Sequence, residues 1–139
     1  MSNDEVERRL RSFLSGDVPF TDMRQWFARY GEIRMSGDSI HSIDFHSPPP
    51  VEIVVRPLDV QGMLRRYLAG TLDAHSLRQW AAFIVLSEAY APPEAEGTND
   101  EDLYEPMWYV LQQLSTPEID GAISPHRARK HLDEIKNLI

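Results

Sequence analysis

Cysteine is absent from this chain, which excludes disulfides and thiolate chemistry and suits a reducing compartment. Long apolar runs are missing as well. The longest, residues 80–86, is far too short to span a bilayer, and the acidic, polar start Met1-Ser2-Asn3-Asp4-Glu5 does not read as a targeting segment. A soluble, cytoplasmic protein without membrane attachment is the expectation. Lysine and arginine are missing altogether between Gln79 and His126. That stretch nonetheless holds Glu88, Glu94, Glu96, Asp100, Glu101, Asp102, Glu105, Glu118 and Asp120. These nine carboxylates account for the net charge of −8, because the other 13 acids are balanced by all 14 bases. Such a segment repels nucleic acid and favours cationic partners.

Motifs that identify chemistry are also lacking. There is no Gly-x-Ser-x-Gly, His-Glu-x-x-His, Gly-x-Gly-x-x-Gly or phosphate-binding Gly-Lys-Ser/Thr phrase. His41, Asp44 and His46 lie close together, but on a strand 44 and 46 share a face that 41 opposes, so they read as polar surface residues and not as a metal set. His126 and His131 stand five apart, a poor helical spacing for one ligand, and His75 reads as a surface residue near a helix start. No catalytic residue, cofactor or metal is expected, and the chain reads as no enzyme.

What the chain does have is an internal repeat. Leu10-Arg11-Ser12-Phe13-Leu14-Ser15-Gly16, closing on Arg24-Gln25-Trp26, returns 54 positions later as Leu64-Arg65-Arg66-Tyr67-Leu68-Ala69-Gly70, closing on Arg78-Gln79-Trp80. Self-similarity at a fixed offset means one supersecondary unit used twice, here a helix, a glycine stop and a second helix. The copies span about residues 6–30 and 60–84 of a single domain covering residues 1–139. At 139 residues that domain buries about two-thirds of its unfolded surface unaided, and 42% hydrophobic against 26% charged residues excludes wholesale disorder.

The spacing of Val6, Leu10, Phe13 and Leu14 predicts a first helix over residues 4–15, ended by Gly16. Thr21 is the expected N-cap of a second helix carrying Met23, Trp26 and Phe27, with Gly31 as its terminator. Ile33, the Ser36-Gly37-Asp38 turn, the approach to Phe45 and β-branched residues 51–55 predict two or three antiparallel strands, with Pro48-Pro49-Pro50 at an exposed end. Asp59 is expected to cap a helix bearing Val60, Met63, Leu64, Tyr67 and Leu68, and Gly70 to stop it. Asp73 then caps a helix through Leu86 that should be the most buried of all.

After a breaker-rich loop at residues 91–99, Thr98 and Glu101 have capping-box spacing, although Pro106 moves the helix start towards Glu105. This helix buries Leu103, Met107, Val110, Leu111 and Leu114, and turns Asp102, Glu105 and Tyr109 outward. Ser124-Pro125 starts a last helix with the stripe Ala128, Leu132, Ile135 and Ile139. The fold class expected is α+β, mostly α: about six helices, four of them in two repeated hairpins, and a small two- or three-stranded antiparallel sheet.

Trp26 and Trp80, being repeated, read as core anchors. Arg24 and Arg78 either pair with carboxylates between the copies or stand exposed. The cluster Arg8, Arg9, Arg11, with Arg65 and Arg66 on the equivalent helix, suggests phosphate binding, against which stand the intervening acids and the net charge. The acidic stretch 94–105 has three readings: a solvated loop with carboxylates at the positive end of a helix, a calcium site whose ligand spacing does not fit, or a docking face for a basic protein. The aromatics Tyr90, Tyr104, Trp108 and Tyr109 support the third, since interface hot spots enrich Trp and Tyr while complementary charge raises the on-rate. The partner-binding set is then Glu94, Glu96, Asp100, Glu101, Asp102, Tyr104, Glu105, Trp108 and Tyr109.

Tyr67-Leu68-Ala69-Gly70-Thr71-Leu72 with Leu77 and Trp80-Ala81, and the tail Pro117-Glu118-Ile119-Asp120-Gly121 before Ser124-Pro125, resemble phrases of small bacterial immunity proteins of the colicin and contact-dependent-inhibition type. The resemblance covers about a third of the chain and rests on helix-packing positions and a glycine stop. It implies an acidic, mostly helical inhibitor that neutralises a basic nuclease toxin through carboxylates. The duplication and the proline-rich strand region depart from that pattern. The alternative from another class is an adaptor module of a bacterial system that uses the helical hairpins as its contact surface.

Overall fold

The repeated apolar spacing builds two helical hairpins. In the computed structural model, which describes residues 3–47, 51–93 and 104–136, the first hairpin is α1 (Asn3–Leu14) and α2 (Phe20–Phe27), and the second is α3 (Pro57–Leu68) and α4 (Ala74–Leu86). Each helix of the second hairpin starts 54 residues after its counterpart, the offset of the sequence repeat (57 − 3 and 74 − 20). Gly16 and Gly70 both stop their helices in the left-handed region, at φ 84° and 81°. At the first stop the Gly16 amide donates to the Phe13 carbonyl and the Asp17 amide to that of Ser12, which satisfies orphan carbonyls of α1. Val6, Leu10, Phe13 and Leu14 are buried on α1, and Val60, Met63 and Leu64 on α3.

Three expected end signals act differently. Pro19, not Thr21, is the N-cap of α2, and Thr21 is an exposed residue within the helix. Arg56 is the N-cap of α3; Asp59 sits two residues after Pro57 and its carboxylate accepts the Arg56 backbone N–H at 2.8 Å. Gly31 does not end α2 but opens a strand, and its φ is not positive. Close approach makes it glycine: a Cβ there would run into the Asp44 carbonyl and come within 2.7 Å of the Phe27 ring. Asp73 does cap α4, accepting the Ser76 N–H at 2.7 Å, and this bond holds its carboxyl below the usual carboxylate range.

Strands β1 (Gly31–Ser36) and β2 (Ser39–Phe45) form the expected antiparallel hairpin over a two-residue turn in which Gly37 takes φ 61°. Its inner face sets Ile43 in the core and Phe45 against Phe27, with ring centroids 4.9 Å apart. The third strand departs from expectation. β3 (Ile53–Val54) does not extend the hairpin; it pairs in parallel with β4 (Tyr90–Ala91), which the sequence reading placed between a helix and a loop. Parallel neighbours need a long crossover, and α3 and α4 supply it. Two residues are too few for strand periodicity to show.

The remaining helices are α5 (Glu105–Ser115), α6 (Pro117–Asp120) and α7 (Pro125–Ile135), making seven helices among the described residues, one more than expected because the short α6 was missed. The fold is α+β and mostly α. Pro106 lies in the first turn of α5, where its missing N–H costs nothing, and Ser124 caps α7 by accepting the Arg127 N–H. The Thr98 and Glu101 pair, Leu103, Ile139 and the triple proline fall outside the described residues. No helix among the described residues is long and apolar enough to cross a membrane.

Helix α4 runs through the centre and buries Leu77 and every residue from Trp80 to Ile84. Phe83 is its hub, with Phe13 of α1 at 4.8 Å, Phe27 of α2 at 5.8 Å and Tyr90 of β4 at 6.1 Å. Two polar ties hold α1, one from the second copy and one from β4. The Trp80 indole donates to the Leu14 carbonyl at 3.2 Å and the Tyr90 hydroxyl to that of Leu10 at 2.7 Å. Burial raises the Tyr90 pKa well above its ordinary value, which keeps the phenol a donor. The repeat is not symmetric here, for the buried Trp26 indole N–H has no acceptor among the described residues. Trp80→Phe therefore deletes a made hydrogen bond and orphans a carbonyl, whereas Trp26→Phe deletes an unsatisfied donor. In urea unfolding, Trp80→Phe should cost about 1 kcal/mol more than Trp26→Phe; equal losses would show that the bond to Leu14 contributes nothing.

Candidate functional site

The stripe Met107, Val110, Leu111 and Leu114 faces inward along α5, which leaves Glu105 and Tyr109, one turn apart, together on its outer side. Helix α7 packs beside α5 and α3 and buries Ala128, His131 and Ile135. Gln61 of α3, itself buried, donates to the Ile135 carbonyl at 3.1 Å and so fixes the end of α7. The result is an open groove of about 550 Å³ lined by Glu105, Pro106 and Tyr109 from α5 and Glu134 from α7. Its floor is mainly apolar. Tyr109 is 55% exposed, the one aromatic ring among the large exposed hydrophobic residues that the structure describes.

Of the nine residues assigned to partner binding, Glu94, Glu96, Asp100, Glu101 and Asp102 lie outside the described residues. The structure brings Glu105 and Tyr109 together at the groove. Tyr104 and Trp108 are only half exposed, with apolar surface packed on the core, so they offer less ring to a partner than Tyr109 does. Elsewhere in the cation-free stretch the charge is partly consumed. Glu118 on α6 takes the Arg78 guanidinium at 2.8 Å, and Asp120 accepts the Thr116 hydroxyl at 2.6 Å. Both sit past the C-terminal end of α5, a helix about 16 Å long, whereas Glu105 stands at its start. Arg78 is thereby paired, but with a carboxylate downstream of both copies. Arg24 is exposed beside Phe27 and Gly31.

Sequence reasoning missed Glu134 and the burial of His131. The i, i+3, i+7 spacing of Ala128, His131 and Ile135 carries the signal, but a histidine within an apolar stripe has too little hydrophobic weight to be assigned to it. Leu132, placed in the stripe, is half-buried. Trp26 and Trp80 are core residues. His41, Asp44 and His46 are all exposed, and among the described residues no group of three or more His, Cys, Asp or Glu side chains is arranged to hold a metal ion.

The His131 ring is 4% exposed, its Nδ1 lacks a hydrogen-bond partner among the described residues, and the Glu134 carboxylate stands 3.8 Å away. Burial lowers its pKa; Glu134 opposes the shift, and Arg127 and Lys130 reinforce it. The folded protein thus holds His131 neutral where the unfolded chain binds a proton, so this site stabilises the fold above the unfolded pKa of about 6.5 and loses that contribution as pH falls. Between about pH 7 and 5, chemical unfolding should show the parent losing stability more steeply than His131→Leu; parallel profiles would refute a neutral buried histidine.

No family model, curated protein or solved structure matches the chain.

Proposed function

We propose that the protein is a non-enzymatic binding module of the immunity or antitoxin kind, which docks an acidic, aromatic-bearing surface onto a basic protein such as a nuclease toxin. The observation that carries the reading is the exposed Tyr109 ring on a largely apolar groove with carboxylates Glu105 and Glu134 on its walls. A half-exposed ring with an apolar floor beside it is the anchor type that dominates interface energies. Flanking carboxylates steer a cationic surface and align it, and they act with the acid-rich, cation-free segment that precedes α5 in the sequence. Inhibition requires no catalytic group in this scheme: the module occupies the cationic cleft of its partner and competes with that cleft's anionic substrate.

The hairpin-adaptor alternative has less support. Helices α1 to α4 spend their apolar faces in one core, and Leu58 and Leu86 are their only large hydrophobic side chains counted as exposed among the described residues.

Because Glu105 and Tyr109 are exposed, Glu105→Lys with Tyr109→Ala should leave thermal unfolding nearly unchanged. Affinity for the basic partner, measured by calorimetry, should fall about 30-fold or more at low salt and by less at high salt, as screening removes the charge component. Equal affinity of parent and double variant at low ionic strength would overturn the proposal.

A further inference from the structure

A second surface has the opposite charge. On the outer side of α1, two adjoining concavities of about 380 Å³ each share Arg8 and Ser12. One adds Arg11, Arg56 and Asp59 where α1 faces the link from β3 to α3; the other adds Arg9 and Glu5. Three carboxylates stand near: Glu7 lies 3.5 Å from Arg11, Asp59 keeps its charge while accepting the Arg56 amide at 2.8 Å, and Glu5 is itself engaged, so four arginines face two carboxylates along the groove lining. Arg9 lies over the Trp26 ring, 5.9 Å from its centroid, and forms no ion pair among the described residues. Arg8 has no partner among the described residues, and the Ser12 hydroxyl is likewise unspent, unlike that of Ser15, which donates to the Ser12 carbonyl.

The repeat tells which of these residues the fold requires. Positions that build the hairpins recur, as Leu10 with Leu64, Gly16 with Gly70 and Trp26 with Trp80. The ridge does not, since Arg8 corresponds to Gly62, Arg9 to the buried Met63, and Ser12 to Arg66. The same helical unit thus packs in the second copy without a guanidinium at 8 or 9. We propose that the groove through Arg8, Arg9, Ser12 and Arg56 is a binding site for the diphosphate group of a small molecule. Guanidinium forks match phosphate oxygens in pairs, and a serine hydroxyl adds a neutral donor. Two concavities joined at Arg8 suit two linked anionic centres better than one. The site is independent of the α5–α7 groove, so the fate of either proposal leaves the other standing.

Calorimetric titration of the full chain with inorganic pyrophosphate, orthophosphate and ADP tests this. Pyrophosphate should bind one to one and about tenfold more tightly than orthophosphate, and Arg8→Gln and Arg56→Gln should each weaken it about tenfold while the melting temperature holds. Arg65→Gln, an exposed arginine on α3, should change nothing. ADP binding like pyrophosphate identifies the free diphosphate group as what is read, and tighter ADP binding identifies a nucleotide as its source; either supports the site. Absence of saturable pyrophosphate binding, equal binding of orthophosphate, unchanged affinity in both variants, or an equal loss in Arg65→Gln would overturn it.

Discussion

The fold depends on the second helical hairpin capping and filling the first. Helix α1 ends with carbonyls that its own backbone cannot satisfy, and the Trp80 indole takes the Leu14 carbonyl from across the core. Tyr90 adds a bond to Leu10 one turn earlier, and Phe83 lies between those two residues in the chain with the rings of Phe13 and Phe27 against it. These contacts place polar satisfaction and apolar burial at one junction. Loosening it exposes aromatic surface and orphaned carbonyls together, which is why α4 is buried almost all round while other helices keep a wet face.

That junction dictates where function can reside. Since the four hairpin helices commit their apolar stripes inward, outward positions are free to vary in charge, and they vary differently in the two copies. The first copy carries Arg8 and Arg9 on α1 where the second has Gly62 and Met63 on α3. The cation-free segment following the second copy leads instead into α5, whose outer face meets α7 with carboxylates and a bare tyrosine. A net charge of −8 conceals this separation, since opposite charges gathered on different elements present two surfaces with different partners.

His131 links the acidic groove to the core. It takes a place in the inner stripe of α7 that a leucine would normally fill, one turn from Glu134 at the groove. Its burial ties the packing of α7, the helix that carries Glu134, to the protonation state of the imidazole.

The amino-acid sequence alone determined the hairpins, their glycine stops, the caps at Asp73 and Ser124, the β1–β2 turn and the inward stripe of α5, because these follow from side chains three or four residues apart acting on local backbone. It also placed Glu105 and Tyr109 outward together, since helical period decides that. Pairing of β3 with β4, the bond from Trp80 to Leu14, the committal of Glu118 to Arg78, the arrival of Glu134 beside Tyr109 and the burial of His131 were decided only by tertiary structure. Each joins groups from 25 to 66 residues apart, or rests on contact with another helix, and no local periodicity encodes which distant surfaces meet once the core closes.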